Sequence, residues 1–171
     1  MTDRPTSDTL DWGAIKLFAM DVDGVLTDGG LYVSSDGSES KRFSIIDGLG
    51  LARLRQSGIV LAWISGRHSE ASAIRAKELQ IPHLIQGKLD KLSALKELLA
   101  ILELQPSQSV YMGDDIIDAD AIRYAGIGVA VPEGQHEALA AADYVTQRSG
   151  GNGAVREVCN HILDAIGAQP R

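Results

Sequence analysis

Five short apolar runs, separated by helix-length segments, constrain this chain more than anything else in it. They cover residues 17–20, 59–64, 83–85, 109–112 and 127–131. Runs this short and this continuously apolar read as strands buried on both faces. Between and after them, apolar residues recur at three- and four-residue intervals over residues 49–56, 69–79, 91–104, 118–124 and 154–166, the spacing of amphipathic helices. An alanine-rich stretch at 138–142 reads as a further helix. Strand and helix alternate, so the expected fold is α/β: a doubly wound, mainly parallel sheet with helices on both faces and right-handed crossovers.

One segment breaks the rhythm. Residues 31–33 and 41–43 flank an Asp36-Gly37 turn signal, which predicts a small β-hairpin flap directly after the first acidic loop. No insertion is long enough for a separate cap domain. With 171 residues, 44% of them hydrophobic, the chain suits one domain over residues 13–171, preceded by a flexible lead-in at 1–12. A formal charge of −7 argues against nucleic acid or an anionic membrane surface as partner, so an anionic ligand must be held locally. Cys159 is the single cysteine, which excludes an intrachain disulfide, and no run approaches the roughly 18 apolar residues of a membrane span. A cytoplasmic address is the expectation.

In open α/β sheets ligands bind beyond the carboxyl ends of the strands, which points to the loops opening at Asp21, Ser65, Gly87 and Gly113. Asp21 and Asp23 sit two apart after the first strand, in Asp-Val-Asp-Gly. Two carboxylates this close need a cation or a shared proton, and a hard ion such as Mg2+ answers the first need. The same four residues are equally a solvated acidic turn. Gly113-Asp114-Asp115-x-x-Asp118 follows the fourth strand. Asp114 suits a direct metal ligand, and Asp115 and Asp118 suit the orienting of ligands and waters, although both also fit a helix start. Ser65, in Ser65-Gly66-Arg67, offers a hydroxyl and neighbouring N–H groups to a phosphoryl oxygen. Lys91 opens a helix, where a cation is disfavoured by the dipole unless an anion is near, and Lys88 close by offers the same charge.

Taken in order, Asp-x-Asp-Gly, Ser-Gly-Arg, Lys and Gly-Asp-Asp-x-x-Asp resemble the haloacid dehalogenase superfamily over residues 18–118. That resemblance implies a Rossmann-like core and a phosphatase mechanism. Asp21 would be the nucleophile that forms an aspartyl-phosphate, and Asp23 the acid and then the base. Ser65 and Lys91 would hold the phosphoryl group, and Mg2+ would be bound by the side chains of Asp21 and Asp114 and the main-chain carbonyl of Asp23. The aspartate at position 23 favours hydrolysis of a phosphate ester over dehalogenation.

A closer resemblance, on residues 20–29, Asp47-Gly48, Ser65-Gly66-Arg67 and the Gly-Gly-x-Gly-Ala-Val-Arg-Glu of residues 150–157, is to the capless family of 3-deoxy-D-manno-octulosonate 8-phosphate phosphatases. It implies a sugar-acid phosphate substrate, a homotetramer, and substrate contacts from Asp23, Ser65, Gly66, Arg67, Lys91 and Arg156. Arg67 matches a sugar carboxylate bidentately. The chain departs from that family at Asn152, a position often basic there. Rival expectations are a nine-carbon sugar-acid phosphatase, a phosphomutase, which normally carries a larger lid, and a phosphoacceptor signalling domain. The last places its phosphorylated aspartate at the end of a central strand where Ser65 stands here.

Overall fold

The computed structural model describes residues 9–168. A six-stranded sheet runs in the order β5-β4-β1-β6-β7-β8, every neighbouring pair parallel, from β1 (Leu17–Met20), β4 (Val60–Ile64), β5 (His83–Ile85), β6 (Ser109–Gly113), β7 (Ile127–Ala130) and β8 (Tyr144–Val145). A separate antiparallel hairpin pairs β2 (Tyr32–Val33) with β3 (Glu39–Ser40). The helices are α1 (Ile45–Gln56), α2 (Glu70–Glu78), α3 (Lys91–Ile101), α4 (Ala119–Tyr124), α5 (His136–Ala141) and α6 (Ala154–Ala165).

Strand periodicity divides the core in two. Phe18, Met20, Leu61, Trp63, Val110, Met112, Ile127 and Val129 point to one face, where Leu51 and Leu54 of α1 and Val155, Val158 and Ile162 of α6 cover them. Leu17, Ala19, Ala62, Ile64, Tyr111 and Ala130 point to the other, under Leu95, Leu98 and Leu99 of α3 and Ile122 of α4. This two-sided burial is the reason the strands lack alternation. After β1 the chain moves outward through β4 and β5, then returns to the opposite side of β1 as β6. The strand order therefore reverses between β1 and β6, and that is where a doubly wound sheet opens a ligand crevice.

Several boundaries differ from the sequence expectation. Helix α1 starts at Ile45 rather than 49, because Ser44 caps it through the Asp47 N–H at 3.3 Å, while exposed Ile45 and Ile46 and the glycines Gly48 and Gly50 hide the apolar period there. Helix α3 stops at Ile101 rather than 104, and Glu103 beyond it has a φ of +55°. The second hairpin strand is Glu39–Ser40, not 41–43, since Val33 pairs with Glu39 and the Asp36 carboxylate accepts from the Ser38 N–H to close the turn early. Strand β8, only two residues long on the sheet edge, carries too little pattern to be read in advance. Of the lead-in expected at 1–12, residues 1–8 lie outside the described part. Trp12 is buried and stacked on His161, with ring centroids 5.0 Å apart.

Candidate active site

Asp21 is the first residue beyond β1, and its N–H still donates to the Met112 carbonyl of β6 at 2.9 Å, so the central strand pair fixes the origin of its side chain. Lys91, the first residue of α3, reaches it from across the sheet end. The lysine is fully buried, with Nζ 2.6 Å from Asp21 Oδ1 and 3.7 Å from Asp118 Oδ1, and it donates to the Ile64 carbonyl. An ammonium is kept in such a place only by close, well-aligned acceptors. Lys88 instead lies exposed with Nζ 3.9 Å from Glu97, so Lys91 is the lysine that meets the acidic cluster.

Asp118 is buried and committed on both oxygens. Oδ1 accepts from the Tyr111 hydroxyl at 2.7 Å, and Oδ2 accepts the N–H groups of Asp114 and Asp115 at 3.3 and 3.2 Å. It thereby sets the backbone that carries Asp114. Asp115 is exposed and caps the next turn through the Ile116 N–H at 2.7 Å. Asp114 is the group with capacity left: its Oδ1 is buried without a hydrogen-bond partner. Burial first, then the charges of Asp21, Asp118 and Asp115, push its carboxyl up to about 8. Asp21 is pushed up to about 6, again mainly by burial and then by Asp118, which together outweigh the pull of Lys91.

Carboxylate oxygens of Asp21, Asp114 and Asp118 lie within 4.8 Å of one another. An orphaned buried oxygen among like charges is the environment a hard divalent cation relieves, so the residues fit Mg2+. With Asp118 occupied, Asp21 and Asp114 are the side chains free to ligate, and the Asp23 carbonyl accepts no backbone hydrogen bond among the described residues. Glycine is required at position 24: its φ is +93°, and a Cβ would stand 2.1 Å from Asp114 Oδ2. The glycine-rich segment 150–153 presses on the same loop. The Gly151 N–H donates to the Val25 carbonyl at 2.9 Å, and a Cβ on Gly150 would come 1.9 Å from the Gly24 carbonyl oxygen.

The remaining expected residues divide. A cleft of about 200 Å³ is lined by Asp21, Asp23, Gly66, Arg67, Asp114 and Asp115, with Leu89 and Ile117 at its rim. Ser65 is buried at the end of β4, and its hydroxyl both donates to the Arg67 carbonyl and accepts from the Arg67 N–H, each at 3.1 Å. It shapes the turn that presents Gly66 and Arg67. The Arg67 guanidinium lies 3.3 Å from Glu39 of the hairpin. Arg156 is not brought to this cleft. It lies on α6 beside Arg148, Asn160 and His161 in a second hollow of about 430 Å³, its side chain donating to Asn160 Oδ1 at 2.9 Å.

The roles of two residues were not legible in the sequence, although Asp47 belongs to a segment that carries the family resemblance. Asp47 is buried in α1 and accepts the N–H groups of Gly153 and Arg156 at 3.2 and 2.8 Å, so it caps α6. The pairing of an Asp-Gly in one helix with the glycine-rich start of another was its only signal. Lys41 lies 2.6 Å from Asp23 Oδ1. A lysine after a hairpin carries no signal of that contact.

A family model of haloacid dehalogenase-like hydrolases matches residues 61–158. The chain belongs to this family. Among curated members, the 3-deoxy-D-manno-octulosonate 8-phosphate phosphatase of Yersinia pestis is 47% identical to this hydrolase over 149 residues, 87% of this chain and 80% of that one. The Escherichia coli K12 enzyme of the same name is 42% identical over 153 residues, 90% of this chain and 81% of that protein. A crystal structure of the Moraxella catarrhalis phosphatase of that name, in complex with magnesium, phosphate and KDO, superposes with a TM-score of 0.90 at 52% identity, covering 92% of this chain and 90% of that one. No helix among the described residues is long and apolar enough to cross a membrane.

Proposed function

We propose that this hydrolase is a Mg2+-dependent phosphatase of 3-deoxy-D-manno-octulosonate 8-phosphate, releasing KDO and phosphate in the cytoplasm for lipopolysaccharide biosynthesis. The observation that carries the reading is the buried Asp21–Lys91 pair beside an Asp114 oxygen with no partner, at the crevice between β1 and β6. The named substrate comes from relatives that align over most of the chain.

Asp21 attacks phosphorus and the ester P–O bond breaks, leaving an aspartyl-phosphate. Lys91 and the Ser65–Arg67 turn hold the phosphoryl oxygens. Asp23 gives its proton to the departing sugar oxygen, then takes one from the water that attacks the aspartyl-phosphate. Mg2+, held by Asp21, Asp114 and the Asp23 carbonyl, supplies the positive charge that offsets carboxylate and phosphoryl oxygens together. Asp118 positions the Asp114 backbone and Asp115 caps the turn behind it. Arg67 takes the sugar carboxylate in exchange for Glu39.

We assign the working assembly as a homotetramer. Leu31, Tyr32 and Val33 on the hairpin and Ile45, Ile46 and Leu49 on α1 are exposed on successive elements, apolar side chains that association of copies would cover. Arg156, remote from the cleft of its own chain, is left without a substrate role there.

A panel of phosphate esters tests the substrate. With Mg2+, kcat/KM should be highest for the eight-carbon sugar-acid phosphate, and chelation should abolish turnover. Preference for a nine-carbon sugar-acid phosphate would move the substrate but keep the chemistry. One long-lived phosphoryl adduct without turnover would overturn the reading.

A further inference from the structure

Lys41 is a buried cation that none of the steps above uses. It follows β3 directly, yet its side chain turns inward and is 1% exposed, with Nζ 2.6 Å from Asp23 Oδ1 and donating to Ser72 Oγ at 3.3 Å. Burying an ammonium forfeits its hydration, so the position is held only because these acceptors are close. Asp23 itself is 30% exposed and lines the cleft beside Asp21. Lysine occupies its Oδ1, while Oδ2 makes no hydrogen bond among the described residues. The carboxylate is thus tethered by one oxygen and free at the other.

The tether begins in the hairpin. Glu39 and Lys41 are two residues apart and so share a side of the extended chain. Glu39 accepts from the Ser69 hydroxyl and lies 3.3 Å from Arg67, and Lys41 meets Ser72 and Asp23. Both side chains fasten the hairpin to the segment that runs from β4 into α2.

We propose that Lys41 is a positioning residue for proton transfer: by holding Asp23 Oδ1 it aims Oδ2 at the departing oxygen. The proposal rests on Asp23 being the acid. Lys41 keeps its own proton throughout. The proton on Asp23 Oδ2 passes to the leaving oxygen as the P–O bond breaks and the bond from phosphorus to Asp21 forms. Without the tether the carboxyl turns about its side-chain torsions, and fewer encounters find it in line.

The test uses the leaving group. An alkyl alkoxide needs a proton to depart and p-nitrophenolate does not, and kcat/KM reports only the steps through phosphorylation of Asp21. Since a positioned general acid is worth about 10²–10⁴-fold, Lys41→Met should lower kcat/KM for a sugar phosphate roughly ten-fold more than for p-nitrophenyl phosphate. Lys41→Arg should recover part of that difference. In an Asp23→Asn background, Lys41→Met should add no further loss on the sugar phosphate. Should Lys41→Met fail to fold, Lys41→Gln, which keeps a donor for Ser72, replaces it. Equal losses on both esters, or a multiplicative loss in the double variant, would overturn the role of Lys41. If Asp23→Asn itself loses equally on both esters, the assignment of the acid falls instead.

Discussion

Asp114 and Asp21 hold raised carboxyl pKa values because folding removes them from water and sets Asp114 beside the charges of Asp21, Asp118 and Asp115, and Asp21 beside that of Asp118. In the metal-free protein the folded state therefore binds these protons more tightly than the unfolded one. Their stabilising contribution is complete below the ordinary value of 3.8 and is lost as pH rises through about 6 for Asp21 and about 8 for Asp114. Mg2+ competes with the same protons, so it should raise the melting temperature more at about pH 8.5 than at about pH 5. Asp114→Asn should flatten that difference. A Mg2+ shift of equal size at both values, read by thermal denaturation, would contradict the site. That Asp21, Asp23, Ser65, Lys91 and Asp114 gather at one end of the sheet was legible in the sequence, since each follows a strand or opens a helix. Their division of labour was not. That Asp118 serves the backbone of Asp114, and that Lys41 meets Asp23, depends on which side chains the fold turns inward.

At the scale of elements, buried strands announce themselves because both faces are covered, and β1 coincides with the expected range at 17–20. Elements held by tertiary contacts do not. The start of α1 is masked by exposed Ile45 and by two glycines, Gly48 and Gly50, which carry no apolar side chain into the period. Asp47 joins α1 to α6 by accepting two N–H groups at the first turn of the latter. Removing it leaves those donors buried without partners, and Asp47→Ala is expected to cost about 1–3 kcal/mol of stability by chemical denaturation. A loss below about 0.5 kcal/mol, the range of an ordinary surface change, would show that α6 is capped in another way. The Gly150 contact predicts a different outcome. Gly150→Ala pushes on the Gly24 carbonyl, within the loop that carries Asp21 and Asp23, so kcat should fall by about ten-fold or more, as misplacement of catalytic groups does. Unchanged kcat would mean that the loop accommodates the methyl.

For the molecule as a whole, one parallel sheet carries the cleft beyond the carboxyl ends of its central strands. Glu39 of the hairpin and Lys41 just after it pair with Arg67 and Asp23, two residues that line the cleft. In the homotetramer we propose, the exposed apolar side chains of the hairpin and α1 would be the surface through which copies of the chain meet. Sedimentation should give a species of four 18.2 kDa chains, and Tyr32→Asp, which places a charge at a side chain 62% exposed, should shift it toward smaller species. A monomer with full activity would remove the assembly from the account. The fold class was readable because a doubly wound sheet writes its strands into the sequence. Assembly was not, because an exposed Ile45 looks the same whether or not a partner covers it. The proposed chemistry turns on Asp21 as the point of attack. The most direct measurement is rapid quenching of a reaction with substrate labelled on phosphorus, followed by mapping of the labelled peptide. Label should appear on Asp21 and decay at the rate of turnover, and Asp21→Asn should neither take up label nor release phosphate. Label on another residue, or turnover by Asp21→Asn, would contradict the account.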